Sequence, residues 1–389
     1  MTDLAVLGGI PAFPDGIPFV RPPAPDLARV VEILGPSWEG GALTNGPLVA
    51  ELERRTAEFL QVPHVIAVSS CTTGLMLALR ALDVRGDVVL PSFTFSASAH
   101  AVAWNGATPR FVECDPASFQ LATADAASRL DGAGALLATH VFGAPCSAKE
   151  AEDLARIAGV PLIFDAAHAF GALCAGVPVG RFGDAEVFSL TPTKPLVAGE
   201  GGLVATSRDD VAHRVRIGRD YANPGDYDTR FVGLNGRMSE MHAATALASL
   251  EQYEANQAKR FALVDRYCAG LAEIPGIRVQ TVAAGDRSSW KDFTIAVDDE
   301  VFGIDRDHLR TVLSAEGVDT RTYFDPPVHR QQAYRHTPSR ELPVTEDVAR
   351  RVLSLPVYPA LEGEAVDRIV QLIAAAQDKS PLLAQGPRR

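Results

Sequence analysis

Lys194 stands between an apolar run and a glycine cluster, in Phe188-Ser189-Leu190-Thr191-Pro192-Thr193-Lys194-Pro195 followed by Gly199-Glu200-Gly201-Gly202. A lysine at such a junction is ordinarily a solvated turn residue. In a partly desolvated site it loses its proton more readily and can form a Schiff base. Asp165 closes a second apolar run, in Ile163-Phe164-Asp165-Ala166-Ala167-His168. A carboxylate there either caps a helix or pairs with a cation, such as a protonated pyridine nitrogen. In Val68-Ser69-Ser70-Cys71-Thr72-Thr73-Gly74 a run ends in hydroxyl residues just before a helical pattern. Hydroxyls and free helix N–H groups make either a plain cap or a phosphate site. Pro91-Ser92-Phe93-Thr94-Phe95 adds a ring at Phe95, a core residue or a platform for a planar group. Each piece alone has an ordinary structural explanation. Together they offer a phosphate cradle, a stacking ring, a pyridinium carboxylate and a Schiff-base lysine, which is the requirement of pyridoxal 5′-phosphate (PLP).

The elements that position these residues follow from periodicity. Val65–Ser69, Asp87–Leu90, Pro109–Glu113, Ala135–Val141, Pro161–Asp165, Ala185–Leu190 and Gly202–Thr206 are short, mostly continuous apolar runs. Runs without polar alternation suit strands covered on both faces of a mostly parallel sheet. Helical patterns lie between them, at Thr73–Leu82 and Ser147–Ala158. The alternation predicts a doubly wound α/β domain whose ligand crevice lies at the C-terminal strand ends. Met238 to Leu271 predicts a long helix, bent or broken near Ala255. Ile277–Thr281, Asp292–Val297, Arg306–Glu316, Val318–Tyr323 and Gly363–Ala376 then predict a smaller α+β domain. The expected organisation is a surface segment over 1–30, a large domain over 31–255, a small domain over 256–377 and a mobile tail over 378–389.

Composition narrows the function classes. The 389 residues are 47% hydrophobic and carry a formal net charge of −12, which disfavours non-specific binding to nucleic acid or an anionic membrane. No apolar run approaches the ~20 residues of a membrane span, and Met1 to Phe13 lacks the basic start and apolar block of a signal peptide. The five cysteines are scattered without a C-x-x-C pair, which fits a reduced cytoplasm. The nine histidines show no short metal spacing, so no metal site is expected. P-loop, H-E-x-x-H, G-x-S-x-G and strand-linked G-x-G-x-x-G motifs do not occur.

The chain resembles the DegT/DnrJ/StrS family of PLP-dependent sugar aminotransferases, which has the fold type I architecture of the aspartate aminotransferase superfamily. The resemblance runs over nearly the whole chain. It is carried by Leu43-Thr44-Asn45-Gly46-Pro47 with Leu52-Glu53, by Ser70-Cys71-Thr72-Thr73-Gly74-Leu75, and by Asp165-Ala166-Ala167-His168 with Ser189 and Lys194. Asn235-Gly236-Arg237-Met238-Ser239-Glu240, Tyr323 with His329, Leu342-Pro343 and Leu353-Ser354-Leu355-Pro356 complete it. Many members have Gly-Thr where this chain has Cys71-Thr72.

The resemblance implies that Lys194 carries PLP as a Schiff base and that Asp165 pairs with the pyridinium. It places Thr72, Thr73 and Ser189 on the phosphate, Phe95 against the ring and His168 near the phenolic oxygen. It sends Asn235 to the cofactor of the other subunit, hence a homodimer with shared active sites. The implied reaction is ping-pong transfer of an amino group from L-glutamate to a nucleotide-linked keto-sugar. C4 of dTDP-4-keto-6-deoxyglucose is the lead acceptor, with C3-keto-sugars and a keto-inositol as alternatives. Candidate acceptor contacts are Arg230, Trp290, Lys291, Tyr323 and His329. Sugar dehydratases that resemble the family replace the Schiff-base lysine with histidine, whereas this chain retains Lys194. A regulatory PLP-binding protein is disfavoured by the complete set of Lys194, Asp165 and Ser189. An amino-acid aminotransferase would need an inward arginine among Arg321, Arg330, Arg335 and Arg340.

Overall fold

The computed structural model describes residues 4–384. All seven apolar runs pair into one sheet. Its strands are β1 (His64–Val68), β2 (Asp87–Pro91), β3 (Thr108–Val112), β4 (Ala135–Thr139), β5 (Leu162–Asp165), β8 (Ala185–Ser189) and β9 (Gly202–Thr206), with a two-stranded hairpin, β6 (Leu173–Cys174) and β7 (Val177–Pro178), between β5 and β8. The order is β1-β9-β8-β5-β4-β2-β3. Neighbours from β3 to β8 are parallel, and β9 runs antiparallel to both β8 and β1. Every residue of β4, β8 and β9 is buried, which is why these runs lack polar alternation. Leu75, Leu79, Val102 and Val215 cover one face, and Phe170, Phe188, Leu247 and Ala151 pack on the other.

The shared strand direction brings the ends of β1, β2, β5 and β8 to one edge. Gly74 lets the helix Cys71–Ala81 settle on that sheet, because a Cβ there would stand 2.6 Å from Val187 Cγ1. A Cβ on Gly202 would meet the Ser70–Cys71 peptide at 2.7 Å, so β9 can pass directly behind the turn after β1.

The long helix breaks at Gln252, close to the expected Ala255, giving Glu240–Glu251 and Tyr253–Leu271. Tyr253 anchors the second helix in the large core through Oη, which donates to the Phe170 carbonyl at 2.8 Å. Its far half, with Leu263, Val264, Tyr267 and Leu271, packs into the small core. That core covers an antiparallel sheet of β10 (Ile277–Val279), β11 (Phe293–Val297) and β12 (Val352–Leu355). The strand expected over Val318–Tyr323 forms only isolated bridges, Val318 to Ile17 and Arg321 to Ser354. The polar Asp319 and Arg321 stay at the surface there, while β12 places the fully buried Leu353 and Leu355 beside β11.

The proline-rich N-terminal segment docks on the small domain. Leu4 is fully buried in the small core, and the Ala5 and Ala12 N–H groups donate to the Glu316 carboxylate at 2.7 and 2.8 Å. The helix Leu27–Glu39 then crosses to the large domain and packs beside Glu240–Glu251. At the other end, the tail expected to be mobile from Asp378 is helical over Ser380–Leu383, with Leu383 buried in the small core. The remainder of that tail, 385–389, lies outside the described residues. Among the described residues no helix is long and apolar enough to cross a membrane.

Candidate active site

A cavity of ≈ 360 Å³ opens at the C-terminal strand edge and is lined by Ser70, Thr72, Phe95, Asp165, His168, Ser189, Lys194, Lys291 and Tyr323, among others. Four separate sequence stretches thus converge on one space.

Asp165 is the last residue of β5 and is 4% exposed. Its Oδ2 accepts from Ser98 Oγ at 2.6 Å, and its Oδ1 accepts from the Ala167 N–H at 3.1 Å and the Cys71 thiol at 3.9 Å. Burial raises its pKa, opposed by the Ser98 and Ala167 hydrogen bonds and by the charges of Lys194 and His140. A cationic ring nitrogen in the cavity would supply the charge partner this carboxylate otherwise lacks.

Lys194 lies in the loop after β8, its N–H donating to the Thr191 carbonyl at 3.0 Å. Desolvation lowers its pKa from 10.5 to about 8, the nearby Lys291 charge pushing the same way against Asp292, Cys71 and Asp165. Near neutral pH a larger share of its amine is therefore free to act as a nucleophile.

Ser70 Oγ caps the helix Cys71–Ala81 by accepting the Thr73 N–H at 3.0 Å. The N–H groups ahead of it have no acceptor inside the helix. Thr73 Oγ1 turns to Ser70 Oγ at 2.9 Å and Ser69 Oγ at 3.2 Å, whereas Thr72 lines the cavity. Ser189 Oγ reaches Thr191 Oγ1 at 3.3 Å on the same wall. Phe95 begins the helix Ser96–Trp104 and is 60% exposed at the cavity, so it is a platform rather than a core residue. His168 is held neutral, its pKa pushed well below 6.5 by burial and by Lys194 and Lys291.

These donors fit PLP. Neutral hydroxyls and a helix N-terminus suit its phosphate. A buried carboxylate and a lysine with a depressed pKa line the same cavity, the donor set that its ring nitrogen and aldehyde call for.

The expected acceptor contacts divide. Lys291 and Tyr323 line the cavity; Lys291 is 6% exposed, with Nζ on Asp292 Oδ1 at 2.6 Å. Asp292 Oδ2 is buried without a hydrogen-bond partner and lies 3.9 Å from His168 Nδ1. Trp290, Arg230 and His329 stand away from this cavity. Trp290 faces a separate hollow with Phe261 and Val264, its ring tilted on Phe293. Arg230 is ion-paired with Asp226 and Asp228 in an exposed loop. His329 uses both ring nitrogens in a domain contact, Nδ1 with Ser92 Oγ at 2.6 Å and Nε2 with Glu346 Oε1 at 3.1 Å. Asn235 is exposed, accepts from Arg237 at 3.2 Å and does not line the cavity of its own chain.

The sequence assigned no role to several supporting residues. Ser98 is one of several small residues in its helix, and nothing in spacing marks it as the Asp165 donor. Arg260 holds the backbone beside Lys291, donating through Nη1 to the carbonyls of Trp290 at 3.2 Å and Val357 at 2.8 Å. Glu240 is fully buried and collects the N–H groups of Gly46, Leu48 and Val49 and the Ser37 hydroxyl at 2.8–3.0 Å. That clasp explains why Asn45-Gly46-Pro47 and Met238-Ser239-Glu240 occur together.

The model of the DegT/DnrJ/EryC1/StrS aminotransferase family matches residues 27–374. The dTDP-4-amino-4,6-dideoxy-D-glucose transaminase of Escherichia coli is 32% identical over 365 residues, covering 92% of this chain and 98% of that protein. The dTDP-3-amino-3,4,6-trideoxy-alpha-D-glucose transaminase of Streptomyces venezuelae is 34% identical, covering 89% and 90%. The structure of DesI in the presence of its TDP-sugar product superimposes with a TM-score of 0.93 at 36% identity, covering 98% of each chain. Streptomyces venezuelae DesV in complex with a ketimine intermediate gives 0.84 at 32% identity, covering 93% and 99%.

Proposed function

Because this chain belongs to the DegT/DnrJ/EryC1/StrS aminotransferase family, whose members are PLP-dependent sugar aminotransferases, we propose that it transfers an amino group from L-glutamate to C4 of a nucleotide-linked 4-keto-6-deoxyhexose. The lead acceptor is dTDP-4-keto-6-deoxyglucose. The observation that carries this reading is the pairing, in one cavity, of Lys194 and Asp165 with a wall of Lys291 and Tyr323.

When bound, PLP supplies an electron sink for the carbon that exchanges its amino group. The protein's part is then defined by its own atoms. Lys194 Nζ would hold the cofactor and would move the proton at the substrate carbon as a base whose pKa is lowered to about 8. Asp165 keeps the ring nitrogen protonated, and Ser98 and the Ala167 N–H fix its oxygens. Thr72 and Ser189, with the helix N-terminus, would hold the phosphate, and Phe95 would offer its ring face to the cofactor. Donor and acceptor use this single cavity in turn, which gives ping-pong kinetics. Asn235, outside its own cavity, serves the cofactor of a second copy in a homodimer.

The purified protein should show a visible absorption band that bleaches on adding L-glutamate alone and returns on adding dTDP-4-keto-6-deoxyglucose. A C3-keto-sugar is the second reading, supported by the 34% identity to the Streptomyces venezuelae C3 transaminase. Recovery of the band by a 3-keto but not a 4-keto sugar would select it.

A further inference from the structure

Phe19 lies ahead of the stretch matched by the family model, which begins at residue 27. It lies in a proline-rich stretch, outside any helix or strand, yet the residue is only 5% exposed. Three groups meet that ring. Tyr323 approaches edge-on with centroids 5.9 Å apart, the Lys291 ammonium stands 6.0 Å from its centroid, and the Arg321 guanidinium 5.3 Å. The Lys291 ammonium is also 5.9 Å from the Tyr323 ring. Two aromatic rings therefore flank one ammonium, and Asp292 takes its charge at 2.6 Å. A lysine on a flexible four-carbon stem keeps such a position only if its neighbours hold it.

The segment that carries Phe19 is fixed by bonds of its own. Glu316 holds Ala5 and Ala12, and Ile17 is bonded on both sides, its N–H to the Gly317 carbonyl at 2.7 Å and its carbonyl to the Asp319 N–H at 2.9 Å. The ring's place is thus set by the small domain and not by the cavity it serves.

We propose that Phe19 is a positioning residue for acceptor recognition: its ring, delivered by the N-terminal segment, holds the Lys291 ammonium and the Tyr323 ring on the wall that meets an anionic, hydroxyl-rich acceptor. This rests on the acceptor reading given above. L-Glutamate is compact and reacts against Lys194, whereas a nucleotide-linked sugar extends past it to this wall. Phe19 therefore governs the acceptor half-reaction more than the donor half.

The test uses the holoenzyme with Phe19→Leu, Phe19→Ala and Phe19→Tyr. Phe19→Leu keeps an apolar body for docking but removes the ring face. The expected result is a KM for dTDP-4-keto-6-deoxyglucose raised on the order of tenfold, with the glutamate KM within about twofold. Phe19→Tyr restores the acceptor value. In parallel, acetic anhydride labelling read by mass spectrometry should show Lys291 becoming more reactive in Phe19→Leu and Phe19→Ala, relative to the exposed Lys149 as internal reference. Unchanged Lys291 labelling in both variants would overturn the proposal, as would equal rises in the donor and acceptor constants. If the wild-type enzyme converts no nucleotide-linked keto-sugar, the acceptor reading falls, and the labelling arm alone decides whether Phe19 positions Lys291.

Discussion

The two walls of the cavity are built by different means. The cofactor wall is a product of sheet register: Asp165 ends β5, Ser189 ends β8, and Ser70 to Thr73 follow β1. Its groups are fixed by strands buried on both faces. The wall proposed to meet the acceptor is assembled from connections: Lys291 just before β11, Tyr323 in an irregular stretch, and Phe19 in the N-terminal segment. Its groups hold one another through aromatic faces and one buried ion pair. A wall defined by strand ends can stay constant while a wall defined by connections varies. One scaffold can therefore keep its cofactor chemistry and change its acceptor.

Variants can break or sharpen that contrast. Lys194→Ala should remove turnover by on the order of 10⁴-fold or more while leaving the fold intact, checked by glutamate half-reaction rates and circular dichroism. Asp165→Asn should slow both half-reactions by roughly 10²–10³-fold, since the ring nitrogen loses its charge partner. If either variant impaired only the acceptor half, the division between the walls would fail. Ser98→Ala should cost about tenfold in both halves, because it removes one charge-assisted hydrogen bond from Asp165.

A pH experiment isolates Lys194 in the cofactor-free protein. Its folded pKa of about 8 lies below the ordinary 10.5. Between those values the unfolded chain binds more protons, so this group's contribution to stability rises with pH and is complete above 10.5. Below about 8 the folded state bears the full cost of charging the amine. The difference in melting temperature between wild type and Lys194→Met should therefore shrink as pH climbs from 8 to 10. A difference independent of pH would refute the depressed pKa. The smallest effect is expected at His329→Ala. It should lower the melting temperature through loss of the Ser92 and Glu346 contacts, on the scale of about 1–3 kcal/mol, with acceptor KM unchanged.

The contrast also explains what was legible in the sequence. All seven strands of the large sheet were visible because burial on both faces leaves mostly continuous apolar runs in its interior strands, and the residues after them inherit a known edge. β12 was not, because Val352–Leu355 follows directly on the helix Pro343–Arg351 with no turn residue between. The strand expected at Val318–Tyr323 has suitable alternation, but pairing depends on a partner that sequence does not show. Trp290, His329 and Arg230 have residue types that suit a sugar site. Local ion pairs hold Arg230, a domain contact holds His329, and Trp290, ahead of β11, lines a separate hollow. Ser98, Asp292 and Phe19 escaped notice for the converse reason: their importance lies in neighbours far away in the chain.

The helix Tyr253–Leu271 has a mechanical consequence. It is roughly 28 Å long at 1.5 Å per residue, pinned at its first residue in the large core and packed along its far half in the small one. Arg260, about a third of the way along, carries the Trp290 and Val357 carbonyls. The helix is thus a rod that joins the two cores, and it ties the backbone beside Lys291 to the end held in the large one.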